Sequence, residues 1–266
     1  MSLSFRDLIS SLTALRLVSH VPVIAYVDLN SLGEIDGGGE TFLNALMHRI
    51  DTIMMPVFTY RTMIIPATGP ENNGIIYNHR KAPHTHSEFF DPGMPADLEM
   101  GEVAELLRRE PGALRSNHPV FSFTSIGVDA TLRAQSVSDP LAPLRVLAEL
   151  EGWVLLAGSD HTRNFNLHLA EQMAGRKTFI RWALTPDRIV ELPNTPGCSR
   201  GFNQFAPLVE KIARQVRIGE GLLSTIPLRP MLHLAYDLMQ ADPNALLCND
   251  PGCLMCDSIR QQTSSD

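Results

Sequence analysis

The sequence predicts an α/β fold, and three features near the N-terminus support that prediction. Residues 21–28 form a short apolar run with β-branched side chains, which indicates a buried strand. Residues 30–39 are rich in glycine and predict a turn, and residues 40–49 carry apolar side chains at helical spacing. Residues 52–60 predict a second strand. A strand, a glycine turn, a helix and another strand in this order are typical of a βαβ unit in an α/β sheet.

Apolar spacing predicts the remaining elements in the same way. The other predicted helices cover residues 1–20, 99–109, 143–150, 166–175, 205–216 and 230–240. The other predicted strands cover residues 120–126, 153–158, 178–183 and 222–228. We expect the run WVLLAG at residues 153–158 to lie in the centre of the sheet, because it is continuously apolar.

The domain organisation is predicted to be simple. No internal repeat and no linker of biased composition divides the chain, so we expect a single domain over residues 1–266. Residues 61–97 show no period and contain scattered Pro, Gly, Asn and His, which indicates a long inserted loop. Loops of this length often form lids or binding loops. The chain ends in a tail that contains cysteines.

Composition excludes several classes of protein. Hydrophobic residues make up 44% of the chain and charged residues 19%, as in folded globular proteins. The net charge of −7 disfavours nucleic-acid binding and mildly favours a cationic substrate. No run approaches the roughly 18 apolar residues of a membrane span, and residues 1–20 lack a signal-peptide pattern. We expect a cytoplasmic protein that binds neither nucleic acid nor membranes.

The glycine turn is the first candidate binding site. It contains Ser31, Leu32 and Gly33, followed by Gly37, Gly38, Gly39 and Thr41 at the start of a predicted helix. Glycine lets a backbone approach a ligand closely, and the free N–H groups of a helix start can bind phosphate. The order matches neither GxGxxG nor GxxxxGK[ST]. These residues alone leave both a phosphate-binding loop and a plain tight turn open.

A polar segment before a predicted strand is the second candidate. It contains Arg115, Ser116, His118 and Ser122. Arg and Ser side chains can bind phosphate or carbonyl oxygens. A polar loop leading into a strand explains the same residues, so both interpretations stay open.

His168 and Glu171 form the third candidate. They follow the predicted central strand, and open α/β sheets place their sites at the carboxyl ends of strands. The i, i+3 spacing puts both side chains on one helix face. A carboxylate beside a histidine fixes its tautomer and stabilises the imidazolium, which is how a general base is commonly built. An incidental polar pair on a solvated helix is the alternative.

Four cysteines complete the candidates: Cys198, Cys248, Cys253 and Cys256. The Cys-x-x-Cys spacing suits structural zinc, but there is no second close pair, and cysteines also serve as buried apolar residues. A serine nucleophile is disfavoured because the sequence has no GxSxG. The histidines of residues 79–86 suggest a metal cluster, but Arg80 and Lys81 would repel a cation.

The order of these motifs resembles the aminoglycoside 3-N-acetyltransferase family. The resembling blocks are NSLGEIDGGGETFLNAL, TIMMPVFTY, MGEVAELLRREPGALRSNHPVFSFTSIG, and GWVLLAG followed by NFNLHLAE. The Gly-Cys-Ser-Arg-Gly run at residues 197–201 and Cys253-x-x-Cys256-Asp257 also look like family features. The resemblance runs from about Asp28 to Arg181, with weaker agreement beyond.

The resemblance implies a three-layer α/β/α fold with a mixed central sheet, and acetyl-CoA as cosubstrate. It implies that His168 and Glu171 are catalytic and remove a proton from a substrate amine. It also implies a CoA site, formed by Ser31, Leu32, Gly33, Gly38, Gly39, Thr41, Arg115, Ser116, His118 and Ser122. Asp97, Glu102 and Asp160 are the acidic residues we expect to bind a cationic acceptor, and Glu99 and Glu171 are also available for that role. A homodimer is an arrangement that the sequence leaves open.

The sequence departs from the family at the acceptor side. The usual His-Ser-Ser before the glycine turn is Tyr26-Val27-Asp28 here, and the usual Thr-Ser before the His-Leu-Ala-Glu run is Phe165-Asn166. Segment 61–97 matches poorly. Three hypotheses follow: acetylation of an aminoglycoside-like amine, the same chemistry on a biosynthetic amine, and a CoA-binding protein without catalysis. An intact His168–Glu171 pair argues against the third.

Overall fold

The structure, a computed structural model, describes residues 2–77 and 87–263. Its strands in chain order are β1 Val23–Val27, β2 Ile53–Pro56, β3 Met63–Ile64, β4 Leu114–Arg115, β5 Phe123–Ile126, β6 Trp153–Ala157, β7 Phe179–Leu184, β8 Ile189–Thr195, β9 Arg214–Ile218 and β10 Gly221–Pro227. The helices are α1 Phe5–Ala14, α2 Gly38–Arg49, α3 Glu102–Arg109, α4 Asp129–Ala134, α5 Ala142–Glu149, α6 Leu167–Met173, α7 Ala206–Val209, α8 Leu228–Ala241 and α9 Leu254–Thr263.

Seven strands form a mixed central sheet in the order β4-β5-β2-β1-β6-β10-β9. The middle strands β2, β1 and β6 are parallel, and the strands on either side pair antiparallel. Strands β3, β7 and β8 form a separate antiparallel sheet. The predicted strand 153–158 is confirmed as the sheet's interior strand β6, paired with β1 and β10.

Both faces of the central sheet are covered by helices. Because side chains alternate along a strand, Val23, Ala25 and Val27 join a core with α1, α2 and α3. Ile24 and Tyr26 point the other way, into a core that includes α5, α6 and α8. The predicted three-layer α/β/α fold is confirmed.

Local signals explain where several helices begin. Helix α1 starts behind a capping box, in which Ser4 and Asp7 each bond the other's backbone N–H. Helix α2 starts after Gly37, whose φ of 78° is left-handed and favours glycine. Helix α3 starts at Glu102 and not at residue 99, because Gly101 at φ 85° interrupts the helical backbone.

The prediction of a helix over residues 205–216 is wrong. Helix α7 ends at Val209, and residues from Arg214 form β9, which pairs with β10 at the edge of the sheet. The alternation Arg214, Val216, Ile218 has the period of a strand. Strands β3, β4 and β8 and helices α4 and α9 were not predicted. The histidines of residues 79–86 lie outside the described residues.

Among residues 2–77 and 87–263, no helix combines the length and the apolar character that crossing a membrane requires. The cytoplasmic location stays a prediction.

Candidate functional site

A cavity of about 260 Å³ opens at the carboxyl edge of the parallel strands, where α/β sheets place ligands. We call it the edge cavity. Its floor comes from the ends of β1 and β2. Its walls come from the loops after β2 and β6, from the residues at and before the start of α3, and from Ser199. The lining residues are Ala25, Tyr26, Val27, Met55, Pro56, Phe58, Tyr60, Glu99, Met100, Ala104, Thr162, Arg163, Phe165 and Ser199.

A buried polar network supports the floor of the edge cavity. The Asn166 Nδ2 amide donates to the Tyr26 hydroxyl at 3.1 Å and to Asn164 Oδ1 at 2.9 Å. The Asn164 Nδ2 atom lies 3.2 Å from His161 Nδ1. Burial raises the pKa of Tyr26 and lowers the pKa of His161. The network therefore presents a neutral hydroxyl and a neutral imidazole at neutral pH.

The mouth of the cavity carries charge of both signs. Arg163 donates to the Glu99 carbonyl at 2.9 Å and lies 3.9 Å from the Asp28 carboxylate. The Glu99 side chain is exposed on the rim. Burial raises the pKa of Tyr60, and the carboxylates of Glu99 and Asp97 add to that rise. The Tyr60 hydroxyl therefore stays protonated at any working pH.

The structure brings His168 and Glu171 into contact beside this cavity. His168 Nδ1 lies 2.6 Å from Glu171 Oε2. The imidazole packs between Phe165, which lines the cavity, and Phe202, with ring centroids 4.9 and 4.7 Å away. Only 3% of His168 is exposed. A carboxylate can only accept, so Nδ1 carries the hydrogen of this contact, and the neutral form of the ring has its lone pair on Nε2.

Arg176 holds the Glu171 carboxylate in place, and Glu171 in turn orients His168. Its Nη1 donates to Glu171 Oε1 at 2.9 Å, and its Nη2 donates to the carbonyls of Pro243 and Ala245. The end of helix α6 places Arg176 close to Glu171. Gly175 has a left-handed φ of 75° and turns the chain back, and the Arg176 N–H then donates to the Glu171 carbonyl at 3.0 Å. Both carboxylate oxygens are thereby occupied, and the histidine orientation is held by a charged pair.

Sequence reasoning missed Arg176, although a usable signal exists. Gly-Arg directly after a helical run is a common helix terminus, and an arginine placed there can reach back to the last turn. Phe202 carried no such signal, since its contact with His168 depends on how a distant loop folds.

The glycine turn lies at the end of β1, next to β6 in the sheet. Gly33, Gly37 and Gly38 have φ of 87°, 78° and 59°, and Ser31 donates to Asp28 Oδ2 at 3.2 Å. Leu32 is buried in the core, and Gly39 and Thr41 belong to the first turn of α2. A second cavity of about 400 Å³ covers this turn, lined by Leu29, Asn30, Gly33, Glu34, Ile35, Gly38 and Glu102.

Residues 115–122, which we call the arginine segment, bond almost entirely to the chain's own backbone. Arg115 donates to Ser122 Oγ at 3.0 Å and to the carbonyls of Pro92, Met94 and Val57 at 3.1, 2.5 and 3.0 Å. Burial lowers the pKa of Arg115 to about 10.

The other predicted residues of this segment also form hydrogen bonds with the chain's own backbone. Ser116 Oγ accepts from the Phe123 N–H at 2.9 Å, and Ser122 Oγ donates to the Val57 carbonyl at 3.0 Å. His118 Nδ1 accepts from the N–H groups of Val120 and Phe121 at 3.2 and 2.9 Å. Burial lowers the pKa of His118 to about 4. Strands β5 and β2 separate Arg115 from β1 and its glycine turn, a distance of about 14 Å at ordinary strand spacing.

The three predicted acceptor-binding acids do not meet at one place. Asp97 pairs with Arg61 at 2.6 Å. Asp160 caps the short turn after β6 by accepting from the Thr162 N–H at 2.8 Å. Glu102 lines the cavity over the glycine turn. The acid that does line the edge cavity is Glu99.

The four cysteines come together. Their Sγ atoms all lie within 4.8 Å of one another, and all four residues are buried free thiols. This cysteine cluster joins the loop before Phe202 to the start of α9.

Comparison with known proteins gives a consistent family assignment. The family model described as aminoglycoside 3-N-acetyltransferase matches residues 24–240. Aminoglycoside N(3)-acetyltransferase VII of Streptomyces paromomycinus is 33% identical over 61% of this chain, and the match spans 58% of that enzyme. The chain thus spans less than two thirds of this curated relative.

Solved structures agree on the fold. Aminoglycoside acetyltransferase AAC(3)-IVa, as apoenzyme, superposes with a TM-score of 0.80 at 23% identity and covers 98% of both chains. AAC-IIIb in a binary complex with CoASH superposes with a TM-score of 0.69 at 22% identity, covering 91% of this chain and 97% of that one.

Proposed function

Because the chain belongs to the aminoglycoside 3-N-acetyltransferase family, we propose that it transfers an acetyl group from acetyl-CoA directly to an amine. The observation that carries this proposal is the chain of contacts His168–Glu171–Arg176 beside the edge cavity. It has the construction of a general base whose tautomer and orientation are fixed. A similar structure holds CoASH, which supports acetyl-CoA as the donor.

The chemistry requires a base because a sugar amine is largely protonated at pH 7. His168 Nε2 accepts a proton from the amine, and Glu171 stabilises the imidazolium that forms. The amine nitrogen then attacks the thioester carbonyl, and a tetrahedral oxyanion results. Collapse of this intermediate breaks the C–S bond and releases the CoA thiolate, which takes up the proton held by His168. The attacking nitrogen loses its second proton to solvent and becomes the amide nitrogen. An acyl-enzyme is not needed, so both substrates bind before either product leaves.

The glycine turn is proposed to hold the acetyl-CoA. Gly33 and Gly39 offer backbone N–H groups and Thr41 offers a hydroxyl close to a helix start, which suit a thioester carbonyl or its oxyanion. The N–H groups of Ser31 and Gly38 already donate to the carbonyls of Asp28 and Ile35, so these two residues would shape the turn. The carboxylates of Glu34 and Glu102 line the same cavity and would repel a pyrophosphate. We therefore assign the acyl end of the donor to this turn.

An aminoglycoside amine is the acceptor that the family assignment favours. The net charge of −7 attracts a polycation over a distance. Glu99 on the rim of the edge cavity is the acid placed to bind an ammonium group.

One observation favours a second candidate, a less cationic amine of a biosynthetic pathway. The edge cavity is lined mainly by apolar side chains and two tyrosines, and its one carboxylate, Glu99, shares the lining with the cationic Arg163. A polycationic sugar would meet a single carboxylate there. An amine with one positive charge and an apolar body can pair its charge with Glu99 and pack against the apolar lining, so no charge of the substrate is left unpaired.

The experiment is thiol release from acetyl-CoA across a panel of aminoglycosides and simple amines, with mass spectrometry of the products. Amine-dependent release with one acetyl group added supports acetyl transfer, and the preferred amines decide between the two acceptor classes. Acetyl-CoA binding without release for any amine would refute the catalytic proposal and favour a CoA-binding protein.

A further inference from the structure

The cysteine cluster has the geometry of a tetrathiolate metal site. With Zn–S bonds of about 2.3 Å, a regular tetrahedron places the sulfur atoms about 3.8 Å apart. The Sγ atoms of Cys198, Cys248, Cys253 and Cys256 all lie within 4.8 Å of one another. Small side-chain rotations therefore bring all four to one ion.

The local sequence explains how the ligands converge. Cys253 and Cys256 flank the start of α9, and the Cys253 N–H bonds the Asp250 carbonyl at 3.1 Å in the turn before that helix. Cys248 enters the same turn. Cys198 arrives from a loop fifty residues earlier in the chain. Two ligands two residues apart, a third close by and a distant fourth are a familiar zinc arrangement.

Donors around the sulfur atoms also fit a thiolate site. The backbone N–H and the Nε–H of Arg200 both donate to Cys198 Sγ at 3.4 Å. Arg200 is held in place by Asp250 at 2.6 Å, whose other oxygen accepts from the Gly252 N–H at 2.9 Å. A cation directed at sulfur offsets part of the net negative charge that four thiolates retain around a divalent ion.

Apolar packing alone does not account for this convergence. Phe179, Leu247 and Ile259 surround the cluster, and a cysteine in such a place can act as a small apolar residue. Apolar packing would not require the sulfur atoms of four cysteines from two separate segments to point toward one centre. It would also not require a charged guanidinium at one of them.

We propose that Cys198, Cys248, Cys253 and Cys256 bind one structural Zn²⁺ ion. The ion ties the C-terminal segment to the loop that supplies Ser199 to the edge cavity and Phe202 to the face of His168. All four ligand positions are taken by protein, so the site is closed and structural. The inference stands independently of acetyl transfer.

The test is the metal content of the full chain, purified without a metal-affinity tag in metal-depleted buffers and measured by inductively coupled plasma mass spectrometry. We expect about one zinc per chain. Exchange with Co²⁺ should give the intense thiolate-to-cobalt charge-transfer bands and visible transitions of tetrahedral cobalt.

Variants sharpen the test. Cys253→Ser with Cys256→Ser should lose the metal and lower the Tm, whereas Leu254→Ser, an exposed position between them, should keep about one zinc per chain. If the double variant does not fold, the cobalt spectrum of the wild-type chain still decides. Three results would overturn the proposal: a metal-free protein whose thiols all react under native conditions, disulfides between these cysteines, or iron in place of zinc.

Discussion

Two segments of this chain use the same kinds of residue and differ in what those residues bind. The histidine segment, residues 165–176, joins His168 to Glu171 and Glu171 to Arg176, through charged groups beside a cavity. In the arginine segment, residues 115–122, Arg115 and His118 bond mostly to backbone groups. The two histidines therefore differ in their partners: His168 lies against a carboxylate, whereas His118 accepts from backbone N–H groups and burial lowers its pKa.

The largest expected effect comes from removing the base. His168→Ala should lower kcat by about 10²–10⁴-fold, the usual contribution of a positioned base, and change the KM for acetyl-CoA little. Steady-state thiol release measures both constants. His20→Ala, at an exposed histidine, is the control. Unchanged kcat in His168→Ala would remove the proposed difference between the two segments.

The second prediction concerns the arginine that anchors the pair. Arg176→Met leaves the buried Glu171 carboxylate without its cation, which should cost about 3–5 kcal/mol of unfolding free energy. Chemical denaturation measures this cost. Arg229→Met is the matched control, because Arg229 pairs with Glu151 on the surface and should cost less than about 1 kcal/mol. An equal loss of unfolding free energy in the two variants would show that the Glu171–Arg176 pair stabilises the chain no more than a surface pair does.

The third prediction tests the arginine segment by pH. Burial lowers the pKa of His118 to about 4 in the folded chain, whereas the solvated imidazole of the unfolded chain has the ordinary value of 6.5. Between these values the unfolded chain binds more protons, so stability falls as pH falls from 6.5 to 4, by about 3 kcal/mol from this group. His118→Asn should show a loss smaller by that amount.

Denaturant titrations at pH 7 and pH 4 measure the difference between His118→Asn and the wild-type chain. Their subtraction cancels the contribution of His161, whose pKa burial also lowers. Turnover of His118→Asn at pH 7 should stay near that of the wild-type chain. A large loss of turnover there would give the arginine segment a catalytic or CoA-binding role.

The smallest expected effect is at the cavity mouth. Glu99→Gln should raise the KM for a cationic acceptor by up to about fivefold, because an exposed charge pair is worth at most about 1 kcal/mol. Added salt should shrink the difference. Glu191→Gln, at an exposed carboxylate on β8, should leave the KM unchanged. An equal rise in both variants would indicate a general effect of net charge.

The sequence predicted the centre of the fold better than its periphery. Strands β1 and β6 and helix α8 are long periodic or apolar runs, and such runs are stabilised mainly by burial of the same side chains that form the pattern. Strand β9 was missed because Arg214 and Val216 fit an edge strand only once β10 lies beside them. Edge strands depend on a partner more than on their own residues.

In the candidate site too, contacts within one element could be predicted from the sequence, and contacts between distant segments could not. Spacing on one helix was enough to pair His168 with Glu171. It could not show that Arg176 holds the carboxylate, that Phe202 covers the imidazole, or that Asp97 is already neutralised by Arg61. Those contacts join parts of the chain that only the fold brings together.

The central claim is that His168 removes the proton from the acceptor amine. The most direct test measures kcat/KM for wild-type chain and His168→Ala with acceptors that share one scaffold and differ in amine pKa. The account predicts a large defect for strongly basic amines, which are protonated at pH 7, and a smaller defect for weakly basic amines, which are already neutral. A defect of the same size for every acceptor would contradict a role for His168 as the base.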